Sequence, residues 1–276
     1  MKSIIYILDT YTDYANLRET DYNIQFIWQE RARHDLMAYA KKHNIDIEFV
    51  TNTHPYIEKF RSITEKLYPQ REDFWKLEKF IRWNIFADSE YDYAYFVDLD
   101  TIVLNEDVNI DDVIDPNKFY CNSFGRGRED WNRKMNAIRK DRVLFYSKQP
   151  ERLWHFSSGF MAANKKHADN TISALNDWGL NLMTEEGIHG LIEFLKSTGK
   201  GRRGMFTDEV VANMVLNADI VSPKEVSPAS ADGLCEEFWI SNRDSVFFHV
   251  IGNDFDKQRT MFLLHEFLRE YKTGNK

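Results

Sequence analysis

The stretch Tyr93-Ala94-Tyr95-Phe96-Val97-Asp98-Leu99-Asp100-Thr101-Ile102-Val103-Leu104 places two carboxylates inside a run otherwise suited to a buried strand. Its aromatic and β-branched residues predict a strand over 93–98 covered on both faces. Residues i and i+2 of an extended chain point to the same side. Asp98 and Asp100 therefore converge on one point if strand geometry persists through them. Two readings are open: a solvated turn between two strands, or a site that holds a hard divalent cation through oxygen. Among 44 acidic residues such pairs also arise by chance, so the rest of the chain has to separate the two.

Outward from this stretch, strands and helices alternate. Ile4–Leu8 reads as a first buried strand, Ile24–His43 as a helix and Ile45–Val50 as a second strand. Glu58–Leu67 reads as a helix with Pro55 and Pro69 at its surroundings, and over 74–87 Phe74, Leu77, Ile81 and Ile85 share one helical face. The second half predicts strands over 118–124, 159–163 and 246–251, and helices over 165–178, 185–197, 207–217 and 256–272. The alternation predicts an α/β fold: a single domain with a Rossmann-like, mostly parallel central sheet flanked by helices. Ligands of such sheets collect at the carboxyl ends of the strands, where Asp98 and Asp100 fall.

At 276 residues the chain is long enough to bury a core, and its 43% hydrophobic and 14% aromatic content is that of a folded protein. A net charge of -8 and a pI near 5.6 argue against a general nucleic-acid or anionic-membrane binder. The charge is uneven. No Lys or Arg lies between Arg82 and Lys118, whereas 126–152 carries nine basic residues against four acidic. The acidic stretch suits a cation, and the basic one reads either as a solvated insertion or as a face for an anionic acceptor. Two cysteines, Cys121 and Cys235, are too few for a disulfide framework or a thiolate zinc site. The apolar run near the N-terminus ends at Asp9, so neither a signal peptide nor a membrane span is expected, and a cytoplasmic location follows by default.

Three features favour the cation reading. His249, near the end of the strand predicted over 246–251, would bring an imidazole to the same sheet edge, and mixed carboxylate and imidazole ligation suits manganese better than calcium. Taken alone it would read as a core histidine. Gly159, in Phe156-Ser157-Ser158-Gly159-Phe160-Met161, sits where a glycine permits close approach of backbone or ligand, or simply turns the chain. Asp208 and Glu209 open the helix predicted over 207–217, as reactive carboxylates or as acids favoured by the helix dipole.

Taken in order, these elements resemble the GT-A class of glycosyltransferases, with the nearest pattern in the glycogenin-like family that includes bacterial lipopolysaccharide galactosyl- and glucosyltransferases (family 8-like). The resemblance is one of ordered motifs over roughly residues 3–257. It implies a single GT-A catalytic domain over 1–276: a nucleotide-binding half, 1–104, ending in the Asp-x-Asp, and an acceptor half, 105–276, with the basic insertion 126–152 and the His249 strand. By the same resemblance Asp98, Asp100 and His249 would hold Mn²⁺ or Mg²⁺. Asp9, Thr10 and Tyr11 would hold the nucleobase and ribose, and Lys76 and Arg82 the donor. Ser158 and Gly159 would contact the sugar, and Gly252 and Lys257 the diphosphate. The family's Asn-Ser-Gly is Ser157-Ser158-Gly159 here. Its Asp-Gln is Asp208-Glu209, with Asn213 retained, and the spacing from Gly252 to Lys257 is longer than in the family.

The activity implied is metal-dependent transfer of a sugar from a nucleotide sugar, a UDP-sugar before others, to a hydroxyl acceptor, with retention favoured over inversion. Asp208 and Glu209 are the candidate catalytic carboxylates. The acceptor is open among glycan, lipid headgroup and modified DNA. A haloacid-dehalogenase-like phosphatase would instead use Asp98 as nucleophile, but its pattern wants Thr or Val where Ile102 stands. A sugar-phosphate nucleotidyltransferase needs a glycine-rich loop that Asp9-Thr10-Tyr11-Thr12 does not supply. A non-catalytic nucleotide-sugar-binding module would bind UDP without turnover.

Overall fold

The computed structural model describes residues 1–10, 19–69, 77–123, 156–197, 229–230, 235–237 and 245–249. The helices expected over 207–217 and 256–272 and the basic segment 126–152 lie outside them.

Strand β1 (Ser3–Asp9) is buried along its whole length, as a continuous apolar run requires when both faces are covered. It pairs in parallel with β2 (Asp46–Thr51) on one side and β3 (Tyr93–Val97) on the other. Beyond β3 the sheet continues through β6 (Phe156–Asn164), β5 (Tyr120–Ser123) and the two-residue β7 (Ala229–Ser230). β6 runs antiparallel to both its neighbours while β5 and β7 pair in parallel, so five of the six strands point one way. The mostly parallel α/β sheet expected from the sequence is the one observed.

Helices cover both faces, and alternate residues of each strand go to opposite sides. Ile4, Tyr6 and Leu8 of β1, with Ala94 and Phe96 of β3, join one core with α2 (Pro55–Leu67), α3 (Glu78–Asp88), α5 (Lys165–Asp177) and α6 (Glu185–Ser197). Ile5 and Ile7, with Tyr93, Tyr95 and Val97, join the other core with α1 (Glu19–His43). Leu77, Ile81 and Ile85 are buried as their shared face requires. Helix α1 ends where Asn44 adopts a left-handed φ of 56°. Helix α2 starts three residues before the expected Glu58, because His54 caps it and Pro55 takes the first helical position, where its missing N–H costs nothing. Cys121 is buried, and among the described residues no helix is long and apolar enough to cross a membrane.

One expectation needs correction. The chain does not stay extended through Asp98 and Asp100: β3 ends at Val97, Leu99 and Asp100 form a turn, and β4 (Thr101–Val103) leaves the main sheet. β4 belongs to a second, three-stranded sheet in the order β4-β9-β8, formed with β9 (Phe247–His249) and β8 (Cys235–Glu237). The histidine strand is therefore not an edge of the main sheet. The Asp-x-Asp turn joins the two sheets, and the short helix α4 (Ile110–Val113) comes after β4.

Candidate metal centre

Asp98 sits one residue beyond β3, where its amide donates to the Gly159 carbonyl at 3.1 Å. That bond fixes the start of the turn against β6. β4 then pairs with β9 in the register Thr101↔His249. The residue beside Asp100 is thus locked opposite the histidine, although 148 positions separate them in sequence.

The result is a compact ligand set. One ligand atom from each of Asp98, Asp100 and His249 lies within 4.8 Å of the others. His249 Nε2 is 3.2 Å from Asp100 Oδ1 and 3.7 Å from Asp98 Oδ2. Asp98 is only 6% exposed and His249 7%, so the solvated-turn reading is half right: the turn exists, and its first carboxylate is buried. Two carboxylates and one imidazole are a donor set suited to a divalent ion such as manganese or magnesium. The residues present fit such an ion.

Gly159 explains how the imidazole reaches this position. A Cβ on residue 159 would lie 2.1 Å from His249 Cε1 and 2.2 Å from its Nδ1. Only glycine leaves room for the ring at this point of β6, and the close approach expected there is made by the histidine side chain. Ser158, beside it, is buried.

Two cations not anticipated from the sequence motifs or assigned a different partner complete the surroundings of Asp98. Lys79 Nζ donates to Oδ2 at 2.5 Å, and Arg82 Nη2 approaches Oδ1 at 3.4 Å. Arg82 has no exposed surface. Its guanidinium also donates to the Tyr6 and Val97 carbonyls at 3.3 and 3.0 Å, tying the ends of β1 and β3 together beneath the site. Lys79 went unnoticed in the sequence, yet it lies midway between Lys76 and Arg82, three residues from each. Lys79 and Arg82, three apart within α3, share one helical stripe.

Asp9, the last residue of the neighbouring strand β1, gives both its carboxylate oxygens to Arg33 of α1, which also pairs with Glu30. Thr10 is fully buried, and its hydroxyl has no hydrogen-bond partner among the described residues. Asp9, Thr10, Arg82, Asp98, Asp100, Ser158, Gly159 and His249 are thus placed at or near the carboxyl ends of β1 and β3. Tyr11, Lys76, Asp208, Glu209, Gly252 and Lys257 lie outside the described residues.

No protein-family model matches the chain, and no curated protein matches it. Solved structures do align with it, among them three glycosyltransferases matched over nearly their whole length. One is a glycosyltransferase involved in glycosylation of the major capsid of PBCV-1, at 12% identity and a TM-score of 0.45, covering 95% of this chain and 98% of that one. Another is mouse xyloside xylosyltransferase 1, at 12% identity and 0.42, covering 91% and 98%. The third is the galactosyltransferase LgtC, in complex with donor and acceptor sugar analogues, at 9% identity and 0.44, covering 95% of each chain. Likeness at this level assigns no activity; that has to come from the chain's own site.

Proposed function

We propose that this protein is a metal-dependent glycosyltransferase that moves a sugar from a nucleotide-sugar donor, a UDP-sugar before others, to a hydroxyl acceptor. The observation that carries the reading is the convergence of Asp98, Asp100 and His249 within 4.8 Å, at the strand ends where α/β sheets bind ligands, with Gly159 clearing the space for the imidazole.

In this reading Asp98, Asp100 and His249 hold Mn²⁺ or Mg²⁺. Such an ion, when bound, would supply Lewis-acid stabilisation of negative charge on a departing diphosphate. Arg82 is a positioning residue: it holds Asp98 in place from below. Asp9, Thr10 and Tyr11, at the end of the adjacent strand, take the nucleoside. Ser158 and Gly159 border the sugar, while Lys76, Gly252 and Lys257 belong to the donor's diphosphate side. Asp208 and Glu209 supply a carboxylate near the anomeric carbon, and the reaction proceeds with retention. The whole chain acts as one catalytic domain.

A panel of UDP-, GDP- and TDP-sugars, each incubated with and without Mn²⁺ and read by nucleotide release, tests this directly. Release from one donor class only when the ion is present is the expected result. Failure to bind UDP or release nucleotide from any donor would overturn the proposal, and binding without release would make the chain a nucleotide-sugar-binding module. Asp100→Asn should lower release at least about 100-fold, as loss of one ligand to a catalytic ion does, with the far-UV circular dichroism unchanged.

A further inference from the structure

We propose that Lys79 is a resident counter-ion of the Asp98–Asp100–His249 site, displaced when a divalent cation binds and released to contact the anion that arrives with it. The inference rests on the reading of these three residues as a metal site.

The oxygen that Lys79 holds is the one a metal needs. Asp98 Oδ1 faces Arg82, whereas Oδ2 faces both His249 Nε2 at 3.7 Å and Lys79 Nζ at 2.5 Å. A small divalent ion bonds a carboxylate oxygen at about 2.0–2.2 Å. With Lys79 unmoved, its ammonium and the ion would sit on one oxygen, no more than about 4.7 Å apart by this sum of bond lengths. At that separation, away from bulk water, their repulsion is far from negligible.

One of the two neighbouring cations is able to yield. Arg82 is fully buried and anchored to the Tyr6 and Val97 carbonyls. Lys79 carries a side chain 19% exposed on a flexible four-carbon stem, so it can swing while the arginine stays.

The same pair accounts for the stability of the site without an ion. Two neighbouring carboxylates, one of them 6% exposed, would repel each other if nothing balanced them. Lys79 and Arg82 both pair with Asp98 and so lower that repulsion. Binding a doubly charged ion therefore exchanges a formed ion pair for a new one, and the net gain is smaller than the ligand set alone suggests. An anion such as a diphosphate gives the displaced ammonium a new partner, so ion and diphosphate bind with positive linkage, part of which passes through Lys79.

The test is a titration of Mn²⁺, followed by loss of the free-ion electron paramagnetic resonance signal, with wild type, Lys79→Met and Lys79→Arg, each with and without UDP. Thermal melts establish that each chain is folded, and Lys79→Gln makes the same charge change should the Met variant not fold. Lys79→Met or Lys79→Gln should bind Mn²⁺ alone roughly 10- to 100-fold tighter than wild type, from removal of one adjacent positive charge. UDP should then raise their Mn²⁺ affinity by a smaller factor than it does in wild type. Lys79→Arg, which keeps the charge, should bind Mn²⁺ no tighter than wild type. Equal or weaker Mn²⁺ binding by a folded charge-removing variant overturns the role of Lys79 and leaves the metal site standing. Absence of Mn²⁺ binding in every folded chain, with UDP present, overturns both.

Discussion

Asp9 and Asp98 occupy equivalent places, the carboxyl ends of the adjacent parallel strands β1 and β3, and both are held by basic side chains, yet their surroundings differ in kind. Asp9 gives both oxygens to a single guanidinium, Arg33. Both contacts come from one nitrogen, Nη2, so Asp9 faces a single cation. Asp98 is divided: Arg82 holds one oxygen from below, and the other is shared by a movable lysine and an imidazole 3.7 Å away. The contrast at Asp98 comes from the path of the chain beyond β3. After Val97 the chain turns within three residues and enters a second sheet, bringing Asp100 and His249 to the same point. At the end of β3 the turn supplies Asp100 and the second sheet supplies His249 to the candidate metal set.

The comparison is broken most severely by removing each carboxylate in turn. Asp98→Ala leaves Arg82 buried without its carboxylate, and the loss of one partner from a buried pair costs about 3 kcal/mol or more, measurable by urea denaturation. The same variant should lose Mn²⁺ binding at concentrations that saturate wild type. Asp9→Ala should cost only about 1–2 kcal/mol, because the Arg33 side chain is 21% exposed and water replaces part of what is lost. Its Mn²⁺ affinity should stay within about twofold, as no ligand is touched. Similar losses of Mn²⁺ binding in both variants would show that the two strand ends form one electrostatic unit.

Gly159→Ala sharpens the same contrast from the other side of the site. The added methyl would lie 2.1 Å from the His249 ring, so the ring must leave its position against the carboxylates. The expected loss of Mn²⁺ affinity is about 10- to 100-fold, in the range for disturbing the groups that orient a ligand. Adding His249→Ala to Gly159→Ala should then cost little more, because the first change has already removed the ligand. Additive losses in this double-mutant cycle would mean that the methyl acts on something other than His249.

How much of this was legible beforehand depends on the range of the interactions. β1 and β3 could be read because each is a short, wholly buried and mostly apolar run, and β2 because apolar and acidic residues alternate along it. Asp98, Asp100 and His249 could be named because their residue types stand out against those runs. The bend at Leu99 could not be read: an Asp-x-Asp between two apolar stretches looks the same whether it continues a strand or turns between sheets, and the choice is made by the pairing of β4 with β9. Gly159 announced a close approach without saying to what, since the His249 ring comes from 90 positions away. Lys79 and Arg33 were missed for a related reason. A helical lysine or arginine is most often a solvated one, and which carboxylate it meets depends on how its helix packs on the sheet.

Acid titration of stability gives a last and smaller effect, carried by a histidine away from both strand ends. His167 of α5 is buried, its Nδ1 accepting from the Asn164 amide in a capping box while its ring meets Phe119 edge to face. Burial first, and the adjacent Lys166 charge second, lower its pKa from 6.5 to about 4. The unfolded chain therefore binds a proton on this residue between about pH 6.5 and pH 4 while the folded chain does not, and stability falls as pH falls through that window. Its contribution is fully present above pH 6.5, and at pH 5.5 the loss should be about 1 kcal/mol. His167→Gln should abolish that part of the slope while lowering stability near pH 7 through the weakened cap. The slope that survives in the variant belongs to the other titrating groups. An unchanged slope in His167→Gln would mean that the imidazole is already protonated in the folded chain at pH 5.5, and that Nδ1 no longer accepts from the Asn164 amide there.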